Sequence, residues 1–436
     1  MQHTLQPETL RKLRIRITWF AALLFLANYI DRVNVSFAAL EMNHDLGLSP
    51  VAYGFGAGVF YLGYILFEVP SNLMLYRIGP RVWIARIMIT WGLLSAATCF
   101  VRTPHEFYIL RLLLGVAEAG STPGVIYYLS KWIPADERAK AVSRYMSAGP
   151  IAVIIGAPLS GLILTGLNGV AGLEGWRWLF ILEGLPVAVL GAVTLLALPE
   201  RPAEAKWLDE GERTALARIL ATEETANKQA GRASFAQILR NQTVQKMVAL
   251  YFFFMIGTNA IVYWLPQIIN DFGNLTKMQV TLLTAIPYIF TFIIMDLYGR
   301  HSDRTGERRP HIACGAFIAG VALICSAYVP PVAALGCITI ACAAIWSILG
   351  PFWALPSSLL TGTAAAGGLA MINCIGQVGG FVGPYMIGWV RNTTHSFASG
   401  LFVLSAAEII GGVVALTLPI YIGTSALNQT EDSQRG

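Results

Sequence analysis

The sequence predicts an all-α membrane protein, with twelve transmembrane helices in two six-helix bundles and both termini in the cytoplasm. Three observations lead to this prediction: a composition suited to lipid, apolar runs that recur along the chain, and a biased distribution of positive charge. Of the 436 residues, 55% are hydrophobic and only 13% are charged, and the mean hydropathy is +0.59. Soluble domains carry about 25% charged residues, so we expect most of this protein's surface to face lipid.

The apolar runs are long enough to cross a bilayer, because roughly 20 helical residues span the ~30 Å of hydrocarbon. Six such runs come first, at residues 17–40, 51–74, 84–101, 106–130, 141–164 and 178–198. Six more follow a polar stretch, at residues 243–269, 280–299, 312–328, 332–355, 365–390 and 398–421. The first run is too long for the apolar region of a signal peptide and lacks a clear small-residue cleavage site, so we expect it to remain as helix 1.

Positive charge sets the orientation, since loops rich in Lys and Arg stay in the cytoplasm. Most of the chain's 30 Lys and Arg residues fall on the side of the amino terminus. The opposite side receives only Arg102, Arg177, Lys277 and Arg391. Both termini are therefore predicted to be cytoplasmic. The net charge of +5 follows from this topology and gives no reason to expect nucleic-acid binding.

The densest charge divides the chain near its midpoint. We expect an amino-terminal six-helix bundle at residues 1–198, a cytoplasmic linker at 199–242, and a carboxy-terminal six-helix bundle at 243–436. Within the linker, residues 206–220 have the pattern of an amphipathic helix lying on the inner membrane face.

The two halves also repeat a short motif. Helix 2 ends in N-L-M-L-Y-R-I-G-P-R, from Asn72, and helix 8 ends in G-R-H-S-D-R-T-G-E-R, from Gly299. Superposition pairs Arg77 with Arg304, Gly79 with Gly306, and Arg81 with Arg308. A glycine between basic residues suits a tight cytoplasmic turn at a helix carboxyl end. Parallel repeats of this kind are typical of secondary transporters that bind their substrate near the midplane.

The second copy resembles the cytoplasmic signature of the major facilitator superfamily, G-x-x-x-D-R-x-G-R-R, through Gly299, Asp303, Arg304, Gly306, Arg308 and Arg309. The first copy departs from it, with Asn72 for Gly and Tyr76 for Asp, and in this it is similar to the anion:cation symporter family. Further similar stretches run the length of the chain: Y-I-D-R-V-N from Tyr29, F-E-V-P-S-N from Phe67, G-V-A-E-A-G from Gly115, W-I-P-A-D-E-R from Trp132, G-W-R-W-L-F-I-L-E-G from Gly175, A-K-W-L from Ala205, W-L-P-Q-I from Trp264, F-W-A-L-P from Phe352, I-N-C-I-G from Ile372 and G-G-F-V-G-P from Gly379. The resemblance implies transport of organic anions, such as sugar acids, tartrate, phthalate and other aromatic carboxylates, usually with protons.

Ionisable residues inside a span cost about 2.5 to 3.5 kcal/mol each on insertion scales, so each is a functional hypothesis. Arg32 suits a carboxylate cargo, because its guanidinium stays charged and grips two oxygens at once. Asp31 points ~100° away from Arg32 on the same helix, so the two side chains should face different surroundings. The alternative is that they neutralise each other or other buried partners. The resemblance implies that Arg32 binds the anion and that Asp31 takes part in proton coupling.

Arg111 and Glu118 are seven residues apart and lie on one face of helix 4. A carboxylate in a low-dielectric cavity is a plausible proton carrier, and an arriving anion that competes for its arginine would free Glu118 to take a proton. The alternative is a fixed structural salt bridge. Four other charges are expected to be structural or are unexplained: Glu68 as a gate or turn contact, Glu183 satisfied by Arg177, Asp296 paired with Arg300, and Glu408 with no visible partner.

Neutral polar and aromatic side chains complete the predicted site. The expected substrate-binding set is Arg32, Tyr29, Tyr64, Arg111, Tyr288, Trp353, Asn373 and Gln377, with Asp31 and Glu118 for proton coupling. Helix 5 offers few hydroxyl groups, which favours an aromatic or apolar monocarboxylate over a sugar acid. The expected gate and signature set is Arg77, Gly79, Arg81, Gly299, Asp303, Arg304, Gly306 and Arg308.

The sequence therefore predicts a monomeric transporter of a bacterial inner membrane that imports a small organic carboxylate, aromatic or hydroxy, by proton symport. Two alternatives remain at this point: exchange of dicarboxylates or phosphate esters, and a membrane-embedded sensor. An enzyme is not expected, because the six histidines are scattered and no nucleophile elbow occurs. The six cysteines form no C-x-x-C pair, so we expect neither a metal nor another cofactor.

Overall fold

The computed structural model describes residues 5–229, 240–359 and 363–419, and every regular element within these ranges is a helix. The all-α prediction is confirmed. Linker residues 230–239, the last two residues of the twelfth predicted span and the tail beyond it lie outside the described residues.

Ten α-helices precede the linker's undescribed part: α1 Pro7–Leu13, α2 Trp19–Asp45, α3 Pro50–Ile78, α4 Pro80–Ala97, α5 Pro104–Glu118, α6 Ser121–Ser130, α7 Ala135–Met146, α8 Ala148–Gly166, α9 Gly175–Ala197 and α10 Glu210–Gln229. Their starts follow from local chemistry. A proline opens α3, α4 and α5, where its missing N–H has no helical partner to lose. The hydroxyl of Ser49 caps α3 by accepting from the N–H of Ala52, and Thr103 caps α5 in the same way.

Seven helices follow the linker: α11 Gln242–Asn270, α12 Lys277–Thr305, α13 Arg308–Ser326, α14 Pro331–Leu359, α15 Thr363–Gly376, α16 Val378–Thr394 and α17 Phe397–Leu416. Among the described residues, 11 helical stretches are long and apolar enough to cross a membrane, when α5 with α6 and α7 with α8 are each counted as one stretch. The remaining predicted span, 365–390, is covered by α15 and α16, of 14 and 17 residues, with Gln377 between them. The fourth and fifth predicted spans are also interrupted, the fourth between α5 and α6 and the fifth at Ser147, between α7 and α8.

The chain divides into two compact units. The first unit comprises Met1–Ala230 and Pro266–Ala285, and the second comprises Gly231–Leu265 and Ile286–Gly436. The segment Pro266–Ala285, which is the end of α11 and the start of α12, thus packs with the amino-terminal helices. Within the first unit Lys277 of this segment forms an ion pair with Glu41, and Asn43 donates to the side-chain oxygen of Gln267 at 3.2 Å.

Small residues set the close helix contacts of the first unit. A Cβ at Gly115 on α5 would overlap the carbonyl oxygen of Phe60 on α3, and one at Gly63 would overlap that of Leu112. Helices α4 and α9 approach as closely, since a Cβ at Gly92 would lie 2.5 Å from the backbone nitrogen of Ala188. Glycine at such crossings lets membrane helices pack backbone to backbone. The α2, α3, α4, α5 and α9 side chains described below are positioned by this packing.

The linker helix α10 is attached to the first unit by ion pairs. Lys12 of α1 contacts Glu212 at 2.8 Å, and Arg138 of α7 contacts Glu223 at 2.6 Å. The hydrogen bond from Lys12 holds the pKa of Glu212 below its usual value. The predicted amphipathic helix, 206–220, begins later than expected, at Glu210.

Candidate functional site

A break in the fourth span places Glu118 at a helix end. Helix α5 stops at Glu118, Gly120 adopts a left-handed conformation with φ +83°, and α6 begins at Ser121. The hydroxyl of Ser71 on α3 donates to the freed carbonyl oxygen of Ala119 at 2.5 Å. The carboxyl end of a helix carries partial negative charge, which disfavours a second negative group there. Glu118 therefore needs a cation or a proton.

The cation comes from α2. Arg32 forms an ion pair with Oε1 of Glu118, and Asn28, one turn earlier on α2, donates its amide to the same oxygen at 3.1 Å. Glu118 is fully buried, and its Oε2 has no hydrogen-bond partner in the part of the chain that is described. A proton could therefore bind to Oε2 without breaking an existing hydrogen bond.

Arg32 is surrounded by aromatic rings. Its guanidinium carbon lies 5.5 Å from the ring centroid of Phe60 and 6.0 Å from that of Tyr29. The ring of Tyr64 is 6.2 Å from Phe60. The structure therefore brings together three predicted site residues, Arg32, Tyr29 and Tyr64, and adds Phe60. A cation–π contact stabilises a guanidinium without occupying its N–H donors.

Asp31 turns the other way, towards α4. Its carboxylate accepts hydrogen bonds from the indole N–H of Trp91 at 2.6 Å, from the hydroxyl of Ser95, and from the amide of Asn34 at 3.0 Å. The side chain is only 3% exposed. Asp31 and Arg32 thus bond to different helices, as the ~100° between adjacent helical positions predicts. Asp31 and Arg32 therefore do not neutralise each other, whereas the other half of the alternative, neutralisation by another buried partner, fits the ion pair of Arg32 with Glu118.

Arg111 is buried against the backbone of α3. Its Nε and Nη2 donate to the carbonyl oxygens of Gly56 and Ala57, both at 3.3 Å, and its guanidinium carbon is 5.1 Å from the Phe60 ring centroid. Arg111 and Arg32 therefore both contact the ring of Phe60, and two N–H donors of Arg111 are bonded to the backbone of α3.

The other four predicted binding residues belong to the second unit. Tyr288 of α12 packs edge-on to Trp346, with centroids 6.4 Å apart, and Trp353 of α14 packs edge-on to Tyr251 at 5.1 Å. Asn373 and Gln377 meet at the junction of α15 and α16, where the backbone N–H of Gln377 donates to the carbonyl oxygen of Asn373 at 3.0 Å. The buried side-chain oxygen of Gln377 has no hydrogen-bond partner among the described residues.

The signature glycines adopt the backbone geometry that the motif predicts. Gly79 follows α3 with φ +102°, and Gly306 follows α12 with φ +69°. The carboxylate of Glu200 occupies the space beside Gly79 and accepts from the backbone N–H of Arg81 at 3.2 Å. Burial raises the pKa of Glu200. In the second copy, Arg308 pairs with Asp303 at 2.6 Å. Of the other signature residues, Arg77 and Arg304 lie in the last turns of α3 and α12 and are exposed, whereas Gly299 lies inside α12.

One structural expectation is wrong. Arg177 does not satisfy Glu183, because it pairs with Glu174 at 2.5 Å and donates to the carbonyl oxygens of Cys99 and Val101 at 2.5 and 2.9 Å. Glu183 instead accepts a hydrogen bond from Ser160.

The expected pair of Asp296 and Arg300 is present at 2.7 Å. Glu408 of α17 is buried against Gly257 of α11. In the described ranges no three His, Cys, Asp or Glu side chains are grouped so as to hold a metal ion.

Sequence reasoning missed four contributors: Asn28, Phe60, Trp91 and Ser95. Asn28 lies four residues before Arg32, so the helical repeat could have found it. Trp91 and Ser95 are also one turn apart on one helix, but only the packing of α4 against α2 gives them a partner. Phe60 is an ordinary apolar residue of its span and carried no signal.

Comparisons with known proteins give consistent results. The family model described as Major Facilitator Superfamily matches residues 21–384. A relative from Agrobacterium vitis, named as a tartrate transporter, is 44% identical over 419 residues, which cover 96% of each chain. A relative from Pseudomonas putida, named as the metabolite transport protein NicT, is 41% identical over 410 residues, which cover 93% of this chain and 94% of the relative. The inward open structure of the xylose transporter XylE from E. coli has a TM-score of 0.74 and 18% identity, and the match covers 94% of this chain and 97% of that chain. At this identity the likeness shows the fold alone.

Proposed function

The chain belongs to the Major Facilitator Superfamily, and on that premise we propose that it imports a small organic carboxylate together with protons across a bacterial inner membrane. The comparisons show that the protein is a multi-pass membrane transporter of organic substrates and not an enzyme.

The ion pair of Arg32 and Glu118 carries the proposal. Arg32 is 15% exposed, whereas Glu118 is 1% exposed, so the cation is the accessible member of the pair. A carboxylate cargo can replace Glu118 as the counter-ion, since a guanidinium binds two carboxylate oxygens at once. The rings of Phe60 and Tyr29, which flank Arg32, would then lie near the bound cargo. Their apolar faces favour a cargo with an apolar or aromatic body.

Proton coupling follows when the cargo replaces Glu118 as the counter-ion of Arg32. When the cargo takes Arg32, Glu118 loses its counter-charge at the negative end of α5. A buried carboxylate without a cation is strongly disfavoured, so Glu118 binds a proton. The cargo's negative charge and the proton's positive charge then travel together. Asp31, which binds to α4 and not to Arg32, is a second candidate for proton uptake.

The remaining predicted residues have a supporting role in this proposal. Tyr288, Trp353, Asn373 and Gln377 belong to the second unit and stay predicted contacts of the cargo. Arg111 is bound to the carbonyl groups of α3, which argues against a second anion-binding arginine of the kind that a dicarboxylate or phosphate ester would require. We therefore favour symport of a monocarboxylate by a monomeric carrier over exchange of a dicarboxylate. Tartrate, which the relative's name prints, is itself a dicarboxylate, so it should be tested alongside as a cargo whose transport would contradict this preference.

Uptake into proteoliposomes tests the proposal. With an inward proton gradient and no internal substrate, a labelled aromatic or hydroxy acid should accumulate, and a protonophore should abolish the accumulation. Uptake that requires a preloaded counter-substrate and ignores the protonophore would establish exchange instead. Arg32→Lys serves as the matched variant, because it keeps the charge and loses the two-oxygen geometry.

A further inference from the structure

A groove runs between α7 and the amino-terminal segment of the first unit, on the cytoplasmic side of the first span. One wall is α1 together with the five-residue π-helical turn Arg14–Thr18 that joins it to α2, and the other is α7 with the chain that leads into it. Such a turn is rare and is frequently found at functional sites. Each wall contributes one arginine, Arg14 from the turn and Arg144 from the last turn of α7. The rest of the lining is mostly apolar, with Leu10, Leu13, Ile133 and Ala141.

The other basic side chains of α1 and α7 each have a carboxylate partner. The pairs are Arg11 with Glu8 at 2.9 Å, Lys12 with Glu212 at 2.8 Å, Arg138 with Glu223 at 2.6 Å, and Lys140 with Glu137 at 2.6 Å. Glu137 also lines the groove, and Lys140 offsets its charge there. Arg14 and Arg144 form no ion pair within the described part of the chain. Their positive charge is therefore available to an anion from outside the protein.

An exposed apolar stripe starts at the same turn. It consists of Ile15, Trp19 and Leu23, which are 54%, 52% and 45% exposed. A spacing of four residues places side chains on one face of a helix, so the stripe leads from the groove into the first span. A tryptophan at the end of a span suits the headgroup region of a membrane. The stripe is therefore a surface that an acyl chain can cover.

We propose that the groove binds an anionic phospholipid of the cytoplasmic leaflet, whose phosphate group contacts Arg14 and Arg144 and whose acyl chain lies along the exposed stripe. Guanidinium groups bind phosphate oxygens through paired hydrogen bonds, and basic pockets on the cytoplasmic side of membrane helices bind anionic headgroups. A soluble anion would use the two arginines but not the stripe, which favours a lipid. The site does not involve the pair of Arg32 and Glu118, so the proposal does not rest on the proposed transport function.

Native mass spectrometry of the purified full-length protein tests the site, with phosphatidylglycerol and phosphatidylcholine of the same chain length supplied in equal amounts. The wild-type protein should retain one phosphatidylglycerol in preference to phosphatidylcholine. Arg14→Gln/Arg144→Gln should lower the affinity for phosphatidylglycerol by about 30-fold, because two arginine contacts to an anionic headgroup are lost. Arg14→Lys/Arg144→Lys, which keeps both charges, should retain most of the preference. Trp19→Ala should weaken the binding of both lipids alike, because the stripe does not contact the headgroup.

Arg213→Gln/Arg218→Gln is the matched control. Both arginines lie on α10, outside the groove, and form no ion pair among the described residues. This variant has the same net charge as the variant with both groove arginines replaced by glutamine, and it should keep the wild-type preference. An equal loss in the two variants would overturn the proposal, as would a wild-type protein that does not distinguish the two lipids. Displacement of phosphatidylglycerol by millimolar inorganic phosphate would also overturn it, because the groove would then be a site for soluble anions.

Discussion

Replacing Arg32 with Ala tests both the anion site and the coupling scheme. The substitution leaves Glu118, which is 1% exposed, as a buried carboxylate without its cation. Breaking a buried ion pair by removing one partner costs about 3 to 5 kcal/mol. Protonation limits the loss: with a reference pKa near 4.3 and about 1.36 kcal/mol per unit, neutralising a glutamate at pH 7 costs about 3.7 kcal/mol. We therefore expect Arg32→Ala to lose about 3 to 4 kcal/mol of unfolding free energy at pH 7. Reversible unfolding of Arg32→Ala and of the wild-type protein in mixed micelles at pH 7, followed by intrinsic fluorescence, measures this loss.

The double variant Arg32→Ala/Glu118→Gln separates stability from binding. Because the orphaned charge is gone, most of the lost stability should return relative to Arg32→Ala. Affinity should not return, since truncating one partner of a buried charged contact costs at least about 2 kcal/mol, or about 30-fold in Kd. Calorimetric titration with the cargo, against Glu118→Gln alone, gives the comparison. Equal affinity in these two folded proteins would refute the assignment of Arg32 as the anion site.

Three further predictions concern single positions. Glu118→Gln should abolish proton-driven accumulation in proteoliposomes but retain exchange of labelled for unlabelled cargo, and accumulation at the wild-type level would show that Glu118 is not the carrier. Arg111→Ala should lose about 2 to 4 kcal/mol of unfolding free energy, because two charge-assisted bonds to α3 carbonyl oxygens disappear; fluorescence unfolding measures this, and an unchanged midpoint would contradict it. Gly79→Ala should lose about 1 to 2 kcal/mol, because its φ of +102° disfavours a side chain and the added Cβ would lie 2.6 Å from Glu200; a loss as large in Gly299→Ala, whose surroundings are open, would exclude the turn as the cause.

The sequence predicted best those features for which a single property of the residues determines the local structure. Apolar length predicted the spans, the glycines between basic residues predicted tight turns where Gly79 and Gly306 have positive φ, and adjacency on one helix predicted that Asp31 and Arg32 diverge. Each of these depends on local geometry alone.

Partners across helices could not be predicted in the same way. Glu118 is 86 residues from Arg32 in sequence, and Glu183 was given the wrong partner, Arg177, because the basic residue nearest in sequence was chosen. Membrane helices are apolar on most faces, so the sequence pattern does not reveal which face meets which neighbour. Breaks at Gly120 and Gln377 were missed for a related reason: glycine-rich apolar stretches continue the hydrophobic pattern through an interruption of the helix.

The division of the chain into two units has a mechanical consequence for two helices. The boundary Leu265/Pro266 falls inside α11, and the boundary Ala285/Ile286 falls inside α12, one residue before Pro287. Proline has no N–H to donate to the carbonyl oxygen four residues earlier, so each of the two helices lacks one backbone hydrogen bond at its proline. Each helix is therefore most easily bent at its own proline, and both prolines lie within two residues of the boundaries given above.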